Sequence, residues 1–414
     1  MSAWQRRGYN RNYWAMAFEG ACFMGGIAIL STSGAIAVFI NSMTGSKSLV
    51  GLAVTVQSIF ALAGQLSSAP YVGSIRKLPE FLFKTMLFQR IIPIFMAAPL
   101  LLGAAGNWSV GVFLLLFGVF WFFDGFMTVP WGELCVRVLN PELRGHMMGM
   151  QVTIGGAASL LTGLLLTWLL AAPAFSENHR FAMVFILASA ILLLSLIAMR
   201  LVNDPKPIEK PVKLRIGQYY KRIPYIIRSS KPLQHALIAR IPAFIGFSSI
   251  TFIIVFGSNV LRLSAAQTSW LVYANIIGGL AGGILTGETS RRFGNKVTIL
   301  MCNVFVLIAL VMAVLLIFSP NLSYAWLFIT CIFGSVASSN WVGYFNYFLD
   351  IAPEDERSVY QVVGNCIGIP FSFVGYAMGA IIDRWGFITA FSIGGVFAAA
   401  ALGLSLRLLP RRRL

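Results

Sequence analysis

Two acids sit where water should be scarce. Glu19 lies in the run EGACFMGG, and Asp124 interrupts VGVFLLLFGVFWFFDGFMTVPW, a stretch otherwise almost wholly apolar. A carboxylate at the centre of a hydrocarbon layer costs about 2.5–3.5 kcal/mol on insertion scales, so such a group is expected to face protein or a wet cavity and to have a function. Desolvation favours the neutral form of a carboxyl, and the chemistry this suggests is reversible proton binding. Arg240 enters a later apolar run at nearly the depth at which Glu19 enters the first. It is expected either to pair with Glu19 as a gate latch or to contact an anionic solute. Arg90, in LFQRIIP, is expected to snorkel toward headgroups, and Glu133 to pair with Arg137 near an interface.

Around these charges lie side chains that could hold an organic solute. At helical spacing Phe120, Asp124, Thr128 and Trp131 share one face, as do Asn340, Tyr344 and Tyr347. Phe244 and Ser248 share another, and Phe23 and Gln57 lie in the first and second apolar runs. Aromatic walls with a few amides and hydroxyls suit an amphipathic small molecule. The same stripes equally suit packing between helices. Enzyme chemistry finds no footing: His146, His179 and His235 fall far apart in or beside connectors, and HExxH, GxSxG and Walker patterns are absent. The five cysteines show no CxxC spacing. No catalytic centre, metal or cofactor is expected.

The elements that must position these groups follow from composition. Hydrophobic residues make up 58% of the 414 and charged residues 11%, which excludes a soluble globular protein. Twelve runs of helical length are legible, at about 13–40, 49–73, 82–105, 108–132, 144–171, 180–202, 234–260, 267–289, 297–318, 323–350, 358–382 and 387–408. The fourth is expected to end at Pro130 and Trp131. The first is too long for a signal-peptide core and reads as a retained span. Of the 31 Lys and Arg, 27 fall on one face of this topology, leaving Lys47, Arg180, Arg262 and Arg384 opposite. That asymmetry predicts cytoplasmic termini in a cell membrane, and it accounts for the +17 charge without nucleic acid. The break after Asn203 carries Pro205, Pro207 and Pro211, then VKLRIGQYYKRIPYIIRSSK, a basic aromatic segment able to lie along anionic lipid or to serve as a solvated linker. The chain divides accordingly into a six-helix half at 1–202, a linker at 203–233 and a second half at 234–414.

A faint duplication supports two halves. LNPELRG at Leu139–Gly145 returns as IAPEDERS at Ile351–Ser358, with Pro141 and Pro353 lying 212 residues apart. The basic pair Arg76-Lys77 returns as Arg291-Arg292 at an offset of 215.

With these landmarks the chain resembles the major facilitator superfamily over essentially its full length. That family's connector signature looks like G-x-x-x-D-R-x-G-R-K. Here GETSRRFGNK matches at Gly287, Arg292, Gly294 and Lys296, with Arg291 where the acid belongs. APYVGSIRKLP keeps Gly73 and the basic pair, and GAIIDRWG at Gly379–Gly386 has a similar cast. NYFLDIAPEDER at Asn346–Arg357 is similar to a largely uncharacterised bacterial subgroup. The resemblance implies an all-α bundle of twelve transmembrane helices in two pseudo-symmetric halves. It further implies a cavity lined by spans 1, 4, 7 and 10, and alternating access about a mid-membrane site. Glu19 and Asp124 are then the candidates for proton coupling. The expected function is secondary active transport of an amphipathic small molecule by a monomer in lipid, with efflux one direction open to it. The alternatives are a sugar or glycoside uptake symporter, in which Asp124 serves Na+ or H+, and a non-transporting receptor of the same fold.

Overall fold

The computed structural model describes residues 3–30, 35–45, 47–103, 106–171, 175–204, 216–261, 263, 265–318, 324–368 and 370–410. Pro205, Pro207 and Pro211, Arg262 and the terminal arginines at 411–413 lie outside these. The regular elements among the described residues are helices: α1 (Ala3–Ile29), α2 (Ala35–Thr44), α3 (Lys47–Ser68), α4 (Leu78–Leu101), α5 (Gly106–Val138), α6 (Pro141–Ala171), α7 (Glu177–Leu201), α8 (Ile216–Ser229), α9 (Lys231–Ile250), α10 (Ile253–Asn259), α11 (Ala265–Phe293), α12 (Asn295–Phe318), α13 (Tyr324–Val336), α14 (Asn340–Ile351), α15 (Arg357–Cys366) and α16 (Val374–Ser405), with short 3-10 turns between some of them.

Nine helical segments among the described residues are long and apolar enough to cross a membrane. Expected spans two to seven, nine and ten each meet that measure singly. The last two runs meet at Gly386, whose φ of +81° breaks the direction of α16 and is a conformation glycine adopts without penalty. Large apolar side chains such as Leu115, Leu164, Trp168, Val311, Leu315 and Phe318 point outward and exposed, as a bundle solvated by lipid requires. Pro130 does not end the fourth span, correcting that expectation. α5 runs on for two further turns to Val138 with Pro130 inside it, because a packed membrane bundle tolerates proline within a helix.

The helices form two compact units, one of residues 1–140 and 154–219, the other of 141–153 and 220–414. In the first, Phe39, Phe113, Phe181 and Phe185 build the centre of the core, with ring centroids 5.1–5.4 Å apart in edge-on and stacked pairs. Here α3 and α5 touch backbone to backbone. A Cβ on Gly125 would fall 1.8 Å from the Ala61 carbonyl oxygen, and one on Gly64 would fall 1.9 Å from that of Phe122. Small residues at matched positions are how membrane helices approach closely enough to gain dispersion energy. In the second unit Ile253, Phe256, Leu271, Leu310 and Phe391 form the core. There Gly278 and Gly282 admit the backbone of α13 in the same manner, with Ile332 and Val336 oxygens 2.3 and 2.7 Å from the positions their Cβ atoms would take. The cysteines are all free. Cys22, Cys135, Cys302 and Cys331 are buried, and Cys366 is partly exposed.

Candidate functional site

In the first unit the glycine contact of α5 with α3 fixes the helix's rotation, and Asp124, the neighbour of Gly125, reaches Gln89 on α4. The Gln89 amide is buried and uses both ends. Its Nε2 donates to the Phe120 carbonyl at 3.2 Å and to Asp124 Oδ1 at 3.4 Å, while its Oε1 accepts from Arg90 Nη1. Arg90 also donates through Nη2 to Glu19 Oε1 at 3.3 Å and through Nε to Ser195 Oγ at 3.3 Å, and its guanidinium lies 4.8 Å from the centre of the Phe23 ring. Trp131, two turns beyond Asp124, donates its indole N–H to Glu19 Oε2 at 3.2 Å. One continuous polar chain therefore runs Asp124–Gln89–Arg90–Glu19–Trp131 through the interior of the unit.

Arg90 corrects the sequence reading. It is 1% exposed and turned inward, because Glu19 supplies a counter-charge that a lipid-facing position lacks; an unpaired guanidinium would have had to reach for headgroups. Glu19 accordingly takes Arg90 as its ion-pair partner. Gln89 was not legible as a site residue at all. The only signal for it is the dipeptide QR inside an apolar run. Of the other expected residues of this unit, Thr128 bonds back to the Asp124 carbonyl at 3.0 Å, Phe120 meets the chain through its carbonyl while its ring is part of the core, and Gln57 stands on α3. Glu133 meets Arg137 at 3.1 Å, and Asp204 completes that group at 3.4 Å.

In the second unit α9 presents Arg240 and Phe244 one turn apart, and α14 presents Asn340, Tyr344 and Phe348 at successive turns. The Arg240 guanidinium lies 5.2, 5.3 and 5.5 Å from the ring centres of Phe244, Tyr344 and Phe348. Its Nη1 is buried without a hydrogen-bond partner, and no acidic side chain among the described residues pairs with it. Contacts with ring faces contribute about 0.5–2 kcal/mol, short of the several kcal/mol that desolvating a guanidinium costs. Of the remaining expected contacts, Ser248 bonds back to the Phe244 carbonyl at 2.8 Å, Asn340 donates to Asn303 at 3.2 Å, and the Tyr347 hydroxyl accepts from Leu409 N at 2.9 Å.

The same unit holds a second buried group. Arg144, 1% exposed, donates through Nε to Asn346 Oδ1 at 2.7 Å and through Nη2 to Asp350, whose other oxygen accepts from Asn295 at 2.6 Å. In sequence Arg144 reads as a connector charge. The acid missing from the connector signature at Arg291 has a local substitute: Glu288 accepts from Arg291 at 2.9 and 2.7 Å and from Arg292. Among the described residues no three His, Cys, Asp or Glu side chains converge as metal ligands.

An all-helical bundle with an apolar exterior and a buried ionisable chain defines a polytopic membrane protein. The sequence profile of the Major Facilitator Superfamily matches residues 18–360 and 236–414, and the chain belongs to that superfamily. It is a transporter and not an enzyme. A search of curated proteins found no match. Among solved structures, the chain is similar to the superfamily transporter FucP in its outward conformation, with TM-score 0.73 at 11% identity over 97% of this chain and 99% of that one. It is similar to the proton:xylose symporter XylE, with TM-score 0.73 at 14% identity over 98% and 97%. A bacterial homologue of the iron transporter ferroportin, outward-facing, gives 0.71 at 12% identity over 97% and 99%. Together with the helices, these establish the twelve-helix fold.

Proposed function

We propose that this protein is a proton-coupled secondary transporter that carries an amphipathic small molecule by alternating access. The observation that carries the reading is the buried chain from Asp124 to Trp131. Two carboxylates share one guanidinium in an apolar interior, which leaves one negative charge without a partner when both are ionised. Binding a single proton removes it, and Gln89 together with Arg90 links the two acids so that the state of one is felt by the other. FucP and XylE are proton symporters of fucose and xylose, which supports coupling to protons. A sugar or glycoside cargo is the second reading, favoured by the amides that accompany the aromatic rings. The charge asymmetry of the sequence supports a cell-membrane location with both termini cytoplasmic, and one chain supplies both halves, so a monomer suffices.

The test uses proteoliposomes loaded with a pH-reporting dye and challenged with a library of amphipathic solutes and sugars. Solute-dependent proton movement that disappears in Asp124→Asn and in Glu19→Gln is the expected result. Proton movement or uptake unchanged in both variants would refute the coupling assignment.

A further inference from the structure

We infer that Arg240 is the anion-binding residue of the cargo site, and that the cargo is an organic monocarboxylate whose apolar body lies against the rings of Phe244, Tyr344 and Phe348. The inference rests on the transport reading and names its substrate class. A guanidinium is a planar fork of five donors, and ring faces satisfy none of them in the plane of the fork. The buried Nη1 of Arg240 has no acceptor. No carboxylate among the described residues supplies one, in contrast to Arg90 and Arg144, which each meet an acid. The described residues leave that site open for an anion that a bound solute can supply.

The surroundings select what kind of anion. Phe371 stacks on Phe244 at 6.0 Å and 3°, extending the aromatic wall beyond the guanidinium. α15 and the turn that follows it close on the same rings: a Cβ on Gly364 would lie 2.6 Å from Phe348 and one on Gly368 2.8 Å from Phe244. Gln361, one turn before Gly364 on α15, is buried with neither its Nε2 nor its Oε1 partnered. A second buried side chain with unused hydrogen-bonding capacity therefore lies on a helix that packs against one of these rings. A carboxylate accepts from two donors at once, and an attached hydrocarbon or aromatic body fills the apolar remainder; a bare hydrated ion would leave the rings unmatched. The charges then close: one monoanion at Arg240 and one proton at the Glu19–Asp124 chain make an electroneutral load.

The test is binding to the purified full-length protein in detergent, read by calorimetry and by the shift in unfolding temperature. Phenylacetate and octanoate are compared with phenylacetamide, octanamide, chloride and inorganic phosphate. We expect at least one carboxylate to bind and the amides and inorganic ions not to. Arg240→Gln should weaken that binding roughly 10- to 100-fold, the range for a hydrogen bond to a charged group, and Gln361→Leu less. Failure of both carboxylates to bind, equal binding of the amides or inorganic ions, or undiminished binding to Arg240→Gln overturns the inference. If Arg240→Gln does not fold, protection of wild-type Arg240 from phenylglyoxal by the bound carboxylate, read by peptide mass, decides in its place: protection supports the site and its absence overturns it. Because the measurement uses no gradient, a carboxylate that binds through Arg240 yet moves without protons overturns the coupling alone. Proton-linked uptake of a neutral solute with no carboxylate binding overturns the anion site alone.

Discussion

Arg90 Nη2 meets Glu19 Oε1 at 3.3 Å with the two side chains only 2% and 4% exposed. A pair so deeply placed stabilises little relative to an apolar pair of the same volume, but either member alone is an unmatched charge. Arg90→Met should therefore destabilise the protein by about 3–5 kcal/mol, and Arg90→Met with Glu19→Met should recover most of the loss. Unfolding of the four forms in detergent checks this. Additive losses in the double variant would show that the two charges do not act as a pair.

The α3–α5 contact admits no side chain. Gly125→Ala places a methyl 1.8 Å from the Ala61 carbonyl oxygen, and backbone on both sides must shift. The expected loss is about 1–3 kcal/mol or more, visible as a lower unfolding temperature. Gly111→Ala and Gly163→Ala, which meet nothing within 4 Å, should leave it in place.

Gln89→Leu removes the amide that Asp124 and Arg90 share, leaving each one partner short. Each lost contact to a buried charge costs about 1–3 kcal/mol. Gln89→Glu instead adds a third acid beside one guanidinium. Under the proposed coupling both should abolish solute-dependent proton movement, with Gln89→Glu shifting its pH dependence wherever activity survives.

Arg144 uses different nitrogens for Asn346 and for Asp350, a division that depends on the fork of a guanidinium. Arg144→Lys supplies charge without the fork and should still cost about 1–3 kcal/mol. Asp350→Asn, which leaves Arg144 buried with a neutral partner, should cost as much or more. Thermal unfolding of both variants measures the difference.

Glu19 and Asp124 are legible in the sequence because an acid inside twenty apolar residues has no cheap alternative explanation. Arg90 has one, since a lone arginine within reach of a helix end can snorkel, and which way its side chain turns depends on Glu19, 71 residues away in the chain. Pro130 reads as a terminus by rules learned from helices in water, where a lost hydrogen bond is not compensated by neighbours. The Arg144–Asp350 contact joins residues 206 apart, and linear spacing carries no trace of it. Gln361 is invisible for a simpler reason: what distinguishes it is the bonds it does not make.

The interior position of four of the five thiols has a practical yield. A charged maleimide in water has one native target, Cys366, so a single Cys366→Ser exchange gives a chain nearly blind to the reagent. Reporters introduced one at a time at Thr128, Ser248 and Asn340 on that background would trace, position by position, which walls become wet as the transporter works.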